Sequence, residues 1–261
     1  MPLGVKDVFV SALSLIGFIA LWEAAVRGFH VPTIVLPAPS AIALEGMSRP
    51  LLYAYNAWVT LYETLLGFVA AGVIGVLLAI GIVYSRFLRS ATYPLIIVLQ
   101  IVPKVAIAPI LLIWAGYGTF SKVLLALFVA FFPIVVNMVT GLEAVEEELL
   151  ELCRILHASR IKEFYKVRLP NALPYLFASL KVASTLAVIG AVIGEFVGGN
   201  EGLGNLIIIS NTEMRTPMAF FCIFGLSVLG VALYGAIALA EILLVPWERR
   251  PAIELQTGGG G

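Results

Sequence analysis

The chain alternates long apolar runs with short polar breaks. Apolar runs occupy Phe9–Val26, Trp58–Tyr84, Thr92–Trp114, Val123–Leu142, Ala172–Val197 and Met218–Val245. Each approaches or exceeds the roughly 20 residues that cross a hydrocarbon core as a helix. The pattern predicts an all-α polytopic membrane protein of six spans. No small-x-small cleavage site follows the first run, so it reads as a span and not as a signal peptide. Residues 1–57 form an N-terminal span and a polar, proline-bearing stretch, in which Ser40 is positioned to cap a short helix, Ala41–Met47. Residues 58–247 hold the other five spans, with a further short helix expected over Leu203–Ser210. Residues 248–261 are a tail whose terminal glycines, Gly258–Gly261, resemble a linker.

Two kinds of irregularity stand out inside the spans. Gly67, Ala71, Gly75 and Ala79 recur every four residues in the second, and Gly190, Gly194 and Gly198 do so in the fifth. Such stripes allow another helix to approach closely. The third span carries Pro94, Pro103 and Pro109, which predicts a kinked helix with freed carbonyls.

The longest polar segment, Glu146–Pro174, separates the fourth and fifth spans. Glu146–Leu156 has no Gly or Pro, and its acids cluster at the start, where the helix dipole favours them. Leu149, Leu152, Ile155 and Leu156 fall on one face. Ser159 is placed to cap a second helix over Arg160–Val167, with Ile161, Phe164, Tyr165 and Val167 on its apolar face. Leu169-Pro170 is expected to end it, and Asn171 to cap the next helix. The prediction is two short amphipathic helices with a bend near His157-Ala158. Such a pair either lies on lipid or docks a soluble partner.

Composition agrees with a membrane protein: 61% of residues are hydrophobic and 12% charged, with mean hydropathy +1.04. Sixteen basic against sixteen acidic residues leave no net charge, so nothing points to nucleic acid. With both termini inside, inner segments hold Lys6, Arg86, Arg89, Arg154, Arg160, Lys162, Lys166, Arg168, Arg249 and Arg250. Outer segments then hold only Arg27, Arg49, Lys122 and Arg215. This bias places the polar segment in the cytoplasm. Cys153 and Cys222 fall in different environments and predict no disulfide. Neither a catalytic motif, a metal-ligand pair nor a phosphate-binding G-x-x-x-x-G-K-[ST] loop is present, so no cofactor is expected in this chain.

Glu63, Lys104 and Glu195 are ionisable residues within spans, all in the outer half by counting along the runs. Burial in lipid is costly, so they should face protein or water. Either they line a substrate path, with Gln100 one turn from Lys104 and Asn137 in the fourth span, or they form a Lys–Glu pair holding kinked helices together.

The polar segment resembles the EAA loop of binding-protein-dependent ABC-importer permeases. The matching positions are Glu151, Leu152 and Cys153, then His157, Ala158 and Ser159, then Val167, Leu169 and Pro170. The two alanines are replaced by Leu152 and Cys153. His157 takes the usual glycine's place and must make the bend with a less permissive backbone. The runs Gln100–Pro109 and Ile189–Val197, followed by Gly202-Leu203-Gly204, resemble the nitrate/sulfonate/taurine and pyrimidine-precursor/riboflavin branch.

The resemblance implies the type I importer permease fold, with residues 146–170 as a coupling loop whose contacts include Ile155 and Phe164. It implies a bacterial inner-membrane protein with two cytoplasmic ATPase subunits that bind ATP and Mg. A second permease chain, expected as a homodimer with a heterodimer of similar chains as the alternative, and an external or lipid-anchored binding protein complete the set. The expected substrate is a small organic or anionic nutrient. An ion-coupled secondary transporter working through Glu63, Lys104 and Glu195 is the alternative.

Overall fold

In the computed structural model, which describes residues 5–249, every regular element is helical among those residues. The helices are α1 (Val5–Gly28), α2 (Pro39–Ser48), α3 (Pro50–Tyr84), α4 (Arg86–Ile101), α5 (Lys104–Ala115) and α6 (Thr119–Glu143). They continue with α7 (Glu147–Ile155), α8 (Arg160–Glu163), a π-helical turn (Phe164–Arg168), α9 (Leu169–Gly198), α10 (Leu203–Thr212) and α11 (Thr216–Leu244). The Gly258–Gly261 tail and Arg250 lie outside the described residues, as do the side chains of Lys6 and Arg249.

Among the described residues, four stretches are long and apolar enough to cross a membrane: α3, α6, the continuous run Arg160–Gly198, and α11. A broken pair, α4 and α5, makes five. Among the described residues the count is thus four or five, and α1 coincides with the first of the six predicted spans. The most apolar window of α11 has a mean hydropathy of 2.2, yet only 6% of it is buried within the chain. Leu226 and Leu229 pack inward, while Val231, Leu239 and Leu243 are exposed. Exposed apolar surface of this extent belongs against lipid or another chain.

The chain divides into two packed units. The first comprises Met1–Gly67, Lys104–Ala126 and Val188–Gly230. One of its cores joins Tyr53, Leu203, Leu206, Ile207, Met218 and Cys222, and another joins Ala108, Leu125 and Ile193. Close approach here depends on Gly190: a Cβ would sit 2.7 Å from Ala126 Cα and from Leu125 O. The second unit comprises Phe68–Pro103, Leu127–Ala187 and Val231–Gly261. Ala79, Ile82, Phe132, Val135, Met138 and Leu142 form its main core. Ala71 is fully buried, and Gly75 lies against Ile134. The small-residue stripes thus serve helix packing.

Four local expectations are corrected. The third span is not one kinked helix: α4 ends at Ile101, α5 restarts at Lys104, and the chain bends by 108° between them. Pro103 cannot donate the backbone bond that would carry the helix through, and Val102 before it is extended. Gln100 and Lys104 consequently do not share a helical face. α2 starts two residues early, with Pro39 as its first residue and no side-chain cap, while Ser40 instead bonds both Glu23 and Arg27. Leu169-Pro170 does not stop the helix, which runs from Arg160 to Gly198. The wider π turn before Pro170 accommodates a residue without an N–H. With no helix start at Asn171, there is nothing there to cap, and its Nδ2 donates to the Gly141 carbonyl instead.

Candidate functional site

Two groups of residues merit attention, one in each unit. In the first unit, α3, the start of α6, the end of α9 and the Gly202–Gly204 turn converge on two buried carboxyl groups. Glu63 and Glu195 are 0% and 1% exposed. Lys122 Nζ donates to Glu63 Oε1 at 2.8 Å and to the Glu201 carbonyl at 3.3 Å. Glu63 Oε2 has no donor among the described residues, and the Glu195 carboxyl adjoins it. Glu195 receives the Thr60 hydroxyl at 2.7 Å on one oxygen and the Gly204 N–H at 2.6 Å on the other. Thr60 Oγ1 in turn accepts from Leu203 N, and Asn56 Oδ1 accepts from Gly202 N at 2.7 Å.

These bonds satisfy the otherwise orphaned N–H groups at the start of α10. Glycine is required at the turn. Gly202 has φ +110°, and a Cβ there or at Gly204 would overlap the Glu195 carboxylate. The arrangement can tie α10 to α3 and α9. Two acidic residues and a lysine hold it together, as expected of a buried pair, but the cation bonded to Glu63 is Lys122 and not Lys104. Lys122 had read as a loop charge because an apolar run begins directly after it; α6 in fact starts at Thr119 and carries Lys122 inward. The hydroxyl and amide partners, Thr60 and Asn56, had no distinguishing spacing in the sequence. The Gly202-Leu203-Gly204 pattern was the available signal.

The remaining predicted path residues are Lys104, Gln100 and Asn137. Lys104 is half-buried at the first position of α5, and Gln100 is exposed near the end of α4. Asn137 is half-buried in α6, where its Nδ2 donates to the Pro133 carbonyl.

In the second unit, α7 and α8 flank a tight turn. His157 adopts φ 49°, the left-handed conformation that glycine takes more readily, and its ring nitrogen lies 3.1 Å from Ile155 O. Ser159 then caps α8 by accepting from Lys162 N. Glu151, Leu152 and Ile155 are exposed on α7, and Cys153 is half-buried. Leu149 is also exposed. Ala158, Leu169 and Pro170 are half-buried.

Phe164 departs from the predicted outward face. It packs against the core beside Leu169 and meets Tyr84 edge-on at 6.1 Å. The segment is moored by Arg168, which bonds Glu163 at 2.6 Å and the Leu142 carbonyl at 2.9 Å. Among the described residues no group of three acidic, histidine or cysteine side chains could hold a metal, and both cysteines are free thiols.

Residues 71–245 match the family described as binding-protein-dependent transport system inner membrane component. The chain is 34% identical over 232 residues to the formylaminopyrimidine transport permease protein ThiX of Halalkalibacterium halodurans, covering 88% of this chain and 92% of that protein. It is 36% identical over 239 residues to the riboflavin transport system permease protein RibX of Chloroflexus aurantiacus, covering 90% and 89%. Among solved structures, the inward-facing MetNI methionine ABC transporter superposes with a TM-score of 0.64 at 21% identity, covering 78% of this chain and 99% of that one. The last is a likeness of fold.

Proposed function

From the premise that this chain belongs to the binding-protein-dependent transport system inner membrane components, the permease subunits of ABC importers, we propose how it is driven and what it carries. Segment 146–170 docks a cytoplasmic ATPase. The observation that carries this is α7: Leu149, Leu152 and Ile155 are 44%, 50% and 72% exposed on a helix too short and too acidic to span a membrane. A hydrophobic face held out in this way on a moored helix fits a groove in a soluble partner. Because the chain runs helically from Arg160 to Gly198, displacement of the segment is transmitted directly into a membrane-crossing helix.

Two such chains with two ATPase subunits make a symmetric assembly. ATP and Mg bind to those subunits, and closure of the motor pair draws the two coupling segments together to drive alternating access. Both termini lie in the cytoplasm, as the Lys and Arg bias requires. An external or lipid-anchored binding protein delivers substrate. The substrate is a small nitrogen heterocycle of the pyrimidine-precursor or flavin type. That reading rests on two of the relatives above 30% identity, those whose names carry such compounds. Glu63 and Glu195 act as the tie for α10, while Gln100, Lys104 and Asn137 remain the candidates for the path wall. Sealing of both carboxyl groups from solvent removes the basis for an ion-coupled carrier working through them.

The test is the Leu149→Asp/Ile155→Asp variant, reconstituted with its ATPase and binding protein. Substrate-stimulated ATP hydrolysis and uptake should both fall to background while the purified permease keeps its melting temperature. Undiminished coupling would rule out docking through α7.

A further inference from the structure

A cavity of about 510 Å³ opens in the second unit where α3 ends, α4 begins and α8 returns. Its wall carries Arg86, Arg89, Arg160 and Arg168, with only Glu143 and Glu163 to oppose them. Two of the arginines are spent within the protein: Arg89 pairs with Glu143 at 2.8 Å and Arg168 with Glu163 at 2.6 Å. Among the described residues, Arg86 and Arg160 make no ion pair. The cavity therefore keeps a surplus of two positive charges.

A second cavity, of about 240 Å³ and almost wholly apolar, shares Tyr84 and Arg160 with the first. Ile80, Ile161, Phe164 and Tyr165 complete its lining. Ile80 and Tyr84 belong to the last turns of a helix long and apolar enough to cross a membrane, and Arg86 and Arg89 follow directly, the order expected where hydrocarbon gives way to headgroups.

We propose that these two neighbouring cavities together bind an anionic phospholipid, its phosphate between Arg86 and Arg160 and the start of an acyl chain against Ile80, Ile161 and Phe164. Charge complementarity selects the headgroup, since guanidinium groups pair readily with phosphate oxygens. The neighbouring apolar cavity selects an amphiphile over a free anion. A bound lipid would brace α8 against the end of α3, next to the segment assigned above to ATPase docking. The lipid site does not depend on that assignment.

The experiment uses the full chain purified in a neutral detergent, with retained lipid measured by native mass spectrometry. Phosphatidylglycerol and phosphatidylcholine are offered in equal amounts. Phosphatidylglycerol should be retained preferentially. In Arg86→Gln/Arg160→Gln its apparent affinity should fall roughly thirtyfold, the loss expected for two basic contacts at a membrane surface. Lys162→Gln/Lys166→Gln, which removes equal charge from the same segment outside the cavity, should bind as the parent does. Ile161→Gln should weaken phosphatidylglycerol but leave any binding of inorganic phosphate unchanged.

Equal retention of the two lipids would overturn the proposal, as would an equal loss in the lysine variant, which would indicate diffuse surface charge. Displacement of the lipid by millimolar inorganic phosphate would point to a simple anion site. Unchanged lipid binding in the arginine variant, with loss of the co-purifying ATPase, would reassign the cavity to a protein carboxylate.

Discussion

Replacing Glu63 with Gln leaves the Lys122 ammonium buried with no carboxylate bonded to it. Loss of one partner from a buried pair costs about 3–5 kcal/mol. The single variant should show a clearly lowered melting temperature in detergent. Adding Lys122→Met should restore most of it, because the stranded charge goes too. A double variant as unstable as Glu63→Gln would show that the pair matters chiefly through Lys122's bond to the Glu201 carbonyl. His157 invites the opposite change. Its left-handed backbone suits glycine, so His157→Gly should raise stability by up to about 1 kcal/mol. The gain is limited by loss of the ring contact with Ile155 O. Transport measured with the partner subunits should be unaffected; a fall would give the imidazole a role beyond the bend.

At the scale of elements, α7 and the π turn look alike in sequence and behave differently in the fold. Both offer apolar residues at helical spacing among charges. α7 holds its Leu149 and Ile155 outward, whereas the turn directs Phe164 into the core next to Tyr84. Phe164→Ala should therefore cost about 2 kcal/mol or more in stability. Leu149→Asp/Ile155→Asp should cost almost nothing in the isolated permease and abolish coupling in the assembly. Thermal unfolding, run beside the uptake assay, separates the two. The extra turn of π-helix also explains why Pro170 failed as a stop. Proline ends a regular α-helix through its missing N–H and its clash with the carbonyl four residues back. A wider turn relaxes both demands, and sequence spacing alone does not reveal where one forms.

For the whole molecule, the expectation is a complex. Purified from its native membrane in mild detergent, the chain should bring an ATPase with it at about one copy per permease, as a symmetric motor requires. Recovery of the chain alone, without nucleotide hydrolysis, would remove the docking role from segment 146–170. The nearly unburied surface of α11 adds that the isolated chain is not a finished object: that surface is completed by lipid or by a second subunit.

Hydrophobic run length determined the membrane class, most of the helices and the position of the polar segment, because the cost of exposing backbone to lipid leaves the chain few alternatives. Small residues every four positions determined where helices pack closely, and Ser159 and His157 marked the cap and the bend through local backbone preferences. What only the tertiary structure decided is which distant residues meet. Lys122, not Lys104, reaches Glu63, because α6 begins early enough to turn that side chain inward. Thr60 and the Gly202–Gly204 turn close on Glu195 across 135 and 9 positions of sequence respectively. The break at Pro103 and the inward packing of Phe164 belong to the same class. Each is a choice between conformations that local sequence leaves nearly balanced, made by the packing and hydrogen bonds of elements far away in the chain.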